Sequence, residues 1–108
     1  MTRRALVPLA GLSQLILDRK LADLERAARA CAESRERLAD LTIPPFQTDL
    51  PLPAAAQAAL LYDRWAEARR AEINQTLARQ TAGWIEAREA AATAFGRAEV
   101  LRKLTERG

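Results

Sequence analysis

The chain has 108 residues, 49% of them hydrophobic but only 5% aromatic, with 17 basic and 14 acidic side chains and no histidine. Such a composition belongs to long helices and cannot fill a large globular core; it also removes the commonest metal ligand and the side chain best suited to proton transfer near neutral pH. The net charge of +3 is what remains of a mixed surface, the mark of solvated helix, so nucleic acid ranks behind a protein as partner.

Met1 to Leu17 imitates a signal peptide, with Arg3 and Arg4 ahead of an apolar run. Pro8, Gly11, Ser13 and Gln14 interrupt that run, no small-residue cleavage site follows before Asp18, and the stretch is too short to span a bilayer. It reads instead as a frayed start to a first helix expected at about 9–41. The expected seam is Leu17, Leu21, Leu24, Ala28, Cys31 and Leu38, in steps of four and three except where Arg35 intrudes. Glu25 with Arg29 and Glu33 with Arg37 are acid-before-base pairs at i,i+4, which aid solubility and carry no chemistry. Cys31, the single cysteine, falls on the seam, where a buried small hydrophobe is expected and an intermolecular disulfide or reactive thiol is the alternative; it fits a reducing, cytoplasmic setting.

Residues 42–53 read TIPPFQTDLPLP, whose four prolines exclude regular helix and favour an extended path. This is the expected connection, with Ile43, Phe46 and Leu50 covering the end of a hairpin.

A second helix is expected at about 53–107, because Ala, Leu, Arg, Glu and Gln dominate and no proline interrupts them. Pro51 and Pro53 are tolerated only in a first turn, and Thr48 or Asp49 is the expected cap. The apolar positions are Leu60, Leu61, Trp65, Ala68, Ile73, Leu77, Trp84, Ala87, Ala91, Ala94, Ala98 and Leu101. From Ile73 onward they keep a coiled-coil rhythm, and between Trp65 and Ile73 the phase slips. Trp65 is expected against Leu38 and Leu41, and Trp84 against Leu12 or Leu15, with an exposed binding anchor as the alternative for each. Gly83 and Gly96 bracket the alanine tract, where they either are tolerated or mark a bend or close crossing.

At ~1.5 Å per residue the two helices differ by about 30 Å, so the last twenty or so residues overhang unless Met1 to Pro8 folds alongside. A single helix of that length is marginal in water, which calls for a protein that packs on it, either a second copy or a larger partner. The fold expected is therefore all-α: an antiparallel two-helix coiled-coil hairpin of unequal helices, a Pro-rich connecting loop and an overhanging C-terminal helix.

No phosphate-binding, dinucleotide-binding or paired-cysteine motif occurs, and Glu33 with Glu36 and Glu86 with Glu89 are i,i+3 acids of a charged helix surface. No enzyme, cofactor, metal site or small-molecule substrate is expected. The ending Ala98-Glu99-Val100-Leu101-Arg102-Lys103-Leu104-Thr105-Glu106-Arg107, together with the hairpin layout, resembles the FliJ/YscO family of flagellar and type III export proteins. The resemblance implies a stalk that enters the ring of an export ATPase at the inner face of the membrane and links it to the export gate. Arg97, Leu101, Arg102, Lys103 and Leu104 are the positions it places in the ring. The chain is shorter than usual for that family, and its connection is unusually Pro-rich. The alternative is a general adaptor or chaperone that grips a partner helix with its alanine seam.

Overall fold

The computed structural model describes residues 2–42 and 50–107. It is an all-α helical hairpin made of α1 (Arg3–Asp40) and α2 (Leu52–Arg107). The start of α2 agrees with the two prolines, for the Ala55 N–H donates to the Pro51 carbonyl at 2.8 Å as the first helical bond. Thr48, Asp49, Ile43 and Phe46 lie outside the described residues, while Leu50 is half exposed.

The first helix begins earlier than residue 9. Thr2 caps it, its carbonyl accepting from the Ala5 and Leu6 N–H groups at 3.1 Å and its hydroxyl from Ala5 at 3.3 Å. Pro8 then lies inside the helix, at a cost of about 3 kcal/mol for a proline in a helix interior. Burial of Leu6, and of Leu17 farther along the same helix, offsets that cost. At the other end the helix tightens, with the Leu41 and Thr42 N–H groups reaching back three residues and the Thr42 hydroxyl donating to the Ala39 carbonyl at 2.7 Å.

The chain packs as two units, residues 1–29 with 81–108 and residues 30–80. In the first, Leu17 forms a buried cluster with Ala94 and Ala98, and Leu9 and Leu12 share a groove with Val100 and Leu101. The helices therefore run antiparallel there, and the C-terminal tract does not overhang: the N-terminal residues lie alongside it. In the second unit, Leu41 and Thr42, just past the end of α1, lie beside Tyr62, Ala66 and Arg70, so α2 from Leu52 to about Leu61 has no α1 counterpart.

The inward face of α1 follows Leu6, Ala10, Ser13, Leu17, Lys20, Leu24, Ala27, Cys31, Ser34, Leu38 and Leu41, alternating steps of four and three without a break. Leu17, Leu24, Cys31 and Leu38 lie on it as expected, whereas Leu21 is 48% exposed and Ala28 faces out. Lys20 takes the place expected for Leu21, its aliphatic stem half-buried, and Ser34 takes the place disputed by Arg35. On α2 the same rhythm holds from Ala66 through Arg70, Ile73, Leu77, Gln80, Trp84, Ala87, Ala91, Ala94, Ala98 and Leu101 to Thr105. Upstream, three steps of four carry the face through Ala58, Tyr62, Ala66 and Arg70, so the irregularity is present, a few residues before the expected place. Leu60, Leu61 and Trp65 are consequently more than half exposed, and Trp65 tilts against Tyr62, ring centroids 5.7 Å apart.

The buried polar groups inside the seam are satisfied. The Ser13 and Thr105 hydroxyls donate to carbonyls of their own helix, Ala10 and Leu101, at 3.0 and 2.7 Å. Ser34, 1% exposed, donates across the hairpin to the Gln80 side-chain oxygen at 2.5 Å. Among the described residues no buried side-chain nitrogen or oxygen lacks a partner.

Candidate protein-docking face

The fully buried core is small, with Leu6, Leu17, Cys31 and Ile73 among alanines and two serines, and many large apolar side chains stand exposed. In the first unit they concentrate on one flank. Leu9, Leu12 and Ile16 of α1 stand across from Ala92, Thr93, Gly96, Arg97, Val100 and Leu101 of α2 and enclose an open groove of about 670 Å³. One wall is branched and bulky; the other is small. A Cβ on Gly96 would meet nothing within 4 Å, so the hollow there is real space and not a close helix crossing. The same holds at Gly83, and α2 runs through both glycines unbroken.

The groove continues toward the middle of the hairpin into a charged section where Ile16 and Lys20 face Glu86, Glu89, Ala90 and Arg97. Leu12, Ile16 and Val100 are 54%, 46% and 58% exposed, which is unusual for side chains sharing a single concavity. Sequence reasoning overlooked Leu9, Leu12, Ile16 and Gly96 as binding residues. The signal was present in a second apolar row on α1, Leu9-Leu12-Ile16, one step round from the packing seam.

The structure distributes the five C-terminal candidates over different surroundings. Arg97 and the half-buried Leu101 line the groove. Arg102 lies outside it, clamped between Glu99 at 3.0 Å and Glu106 at 2.7 Å. That clamp holds the Glu99 carboxyl below its usual range, chiefly through the Arg102 hydrogen bond, and keeps the guanidinium more firmly protonated than usual. Lys103 and Leu104 are exposed. Of the expected packing residues, Ile73 and Cys31 are buried, and Leu24, Leu38, Leu77 and Trp84 are half-buried. Trp84 does not meet Leu12 or Leu15, because the register carries Leu12 to Val100 and Leu101; its ring is instead covered by the Arg88 guanidinium at 4.7 Å.

No described helix is long and apolar enough to cross a membrane, and no three metal-ligating side chains gather among the described residues. Comparison with known protein families, characterised proteins and solved structures yields no match.

Proposed function

We propose that this chain is a non-enzymatic binding module whose helical hairpin acts by docking another helical protein surface. The observation that carries the reading is the groove lined by Leu9, Leu12, Ile16 and Val100, a concave apolar surface left open beside the packed seam of the hairpin. Helix-in-groove recognition needs such a surface: apolar contact supplies affinity, and charges at its margin, here Lys20, Glu86, Glu89 and Arg97, set orientation. The six ion pairs between described residues are all local i,i+3 or i,i+4 contacts, which interleave the charge and favour a protein over a polyanion.

A photo-crosslinking amino acid at Val100 is expected to yield discrete protein adducts in cells, while the same residue at Arg79, on an exposed surface of α2, yields none. Equal labelling from both sites refutes the reading.

The finer proposal, a stalk or adaptor of a flagellar or type III export ATPase, is supported by the resemblance of the C-terminal tract and by exposed Arg97, Lys103 and Leu104. The C-terminal tract lies alongside α1 and does not project as a bare tip. Since Ala98 is buried and Leu101 half-buried, deleting 97–108 would damage the hairpin itself, and the fitting test is Lys103→Glu with Leu104→Asp. Loss of binding to the ATPase ring by a normally folded variant is the expected result; unchanged binding removes the export assignment.

A further inference from the structure

The outer rows of α2 in the first unit carry a charge pattern with its own symmetry. One row, spaced by seven, is Glu89, Gly96 and Lys103; its neighbour is Glu86, Thr93, Val100 and Arg107. Glu86, Glu89, Thr93, Gly96 and Val100 all line the continuous groove, and Lys103 and Arg107 extend the two rows by one heptad. Along these rows acid stands at one end and base at the other, the first row centred on Gly96 and the second between Gly96 and Arg97, while Lys20 and Arg97 also line the groove beside the acids. None of the four charged residues forms an ion pair with another described residue.

From this we infer that the occupant of the groove is a second copy of the chain, related by a two-fold axis through Gly96 so that the two α2 helices cross antiparallel. This rests on the docking reading above and names its partner. An isologous interface requires a patch complementary to itself. Reversing the rows about Gly96 sets Glu89 against Lys103 of the second copy and Glu86 against its Arg107, each pair formed twice. Gly96 with Ala92 lets the two backbones approach, and the space a Cβ would occupy is empty. Leu9, Leu12, Ile16 and Val100 then supply the apolar centre.

The size is sufficient. From residue 86 to 107 is 21 steps, about 32 Å at ~1.5 Å per residue, and a two-helix face is roughly 20 Å wide. The resulting footprint of roughly 600 Å² approaches the ~800 Å² per partner of a standard interface.

Sedimentation equilibrium tests the arrangement directly. The natural chain is expected to be a dimer. Glu86→Lys with Glu89→Lys, and separately Lys103→Glu with Arg107→Glu, should each weaken self-association at least tenfold while helix content is unchanged, these side chains being exposed. Mixing the two variants should restore association as a heterodimer, since each junction then pairs opposite charges. Gly96→Leu, which fills the crossing from a position where a Cβ meets nothing within 4 Å, should also leave a monomer. A monomeric natural chain, or charge variants that dimerise as well alone as mixed, overturns the inference. Val100 adducts to a different protein from a monomeric chain would overturn the dimer and leave the docking reading intact; no adducts at all would end both.

Discussion

Ser34 and Gln80 offer the sharpest test of how the hairpin keeps its register. The hydroxyl is inaccessible to water and donates to the Gln80 oxygen at 2.5 Å, whereas Gln80 itself is half-buried. Ser34→Ala removes one neutral hydrogen bond, with a net worth of about 1 kcal/mol, and water reaching the half-buried amide limits the further penalty. Gln80→Leu leaves the buried hydroxyl without its partner; it can turn to a carbonyl of its own helix, so about 1 kcal/mol is expected again. Removing both leaves no orphan and adds apolar area to the seam, so Ser34→Ala with Gln80→Leu should be as stable as the natural chain or more so. The coupling energy is then about 2 kcal/mol or larger. Urea unfolding followed by circular dichroism at 222 nm measures it, and each single change should lower Tm by roughly 4–8 °C for a chain of this size. Additive effects, with coupling below about 0.3 kcal/mol, would refute the claim that these side chains act as a pair.

Leu17→Ala should cost about 3 kcal/mol, because Leu17 is buried against Ala94 and Ala98, which are too short to close the cavity. Amide protection in 81–107 should fall with it, and a loss below about 1 kcal/mol would contradict the packing described. Glu99 should titrate below the ordinary glutamate range by NMR and return upward in Arg102→Gln. Its folded-state pKa lies below that of the unfolded chain, so its contribution is present above the unfolded pKa and disappears as pH falls through the folded one. An unshifted titration in the natural chain would dissolve the clamp.

The seam of α2 is readable from Ile73 onward because large or alanine side chains recur there at coiled-coil spacing with nothing to compete. On α1 the same spacing admits two phases that share Leu17, Leu24, Cys31 and Leu38. Leu21 and Ala28 favour one phase by size; Lys20, Ala27 and Ser34 look inferior. What decides is the run over more turns. One phase must bury Gln14, Arg35 and Thr42, while the other buries Leu6, Ser13, Ser34 and Leu41, and a serine that can bond across is far cheaper inside than an arginine. Local size misled at Leu60, Leu61 and Trp65 for the same reason. The helix start was hidden by Pro8, whose penalty is local, whereas the packing that overrides it comes from residues about 90 positions away in the chain.

The register has a consequence for binding. Had α1 begun at residue 9, the final turns of α2 would stand alone, and any partner could wrap them from every side. With Leu6 buried and Leu9 and Leu12 set beside Val100 and Leu101, one flank is closed by the chain itself and recognition is confined to the other. Confinement to a flank makes a fixed orientation possible, since the outer rows of α2 run from acid at Glu86 and Glu89 to base at Lys103 and Arg107, with Lys20 of α1 and Arg97 beside the acids. A helix entering the wrong way would set acid on acid, and like charges in contact oppose binding as effectively as the apolar groove promotes it. The polar marks at the ends of the groove therefore select the direction of approach, and its apolar middle supplies the affinity.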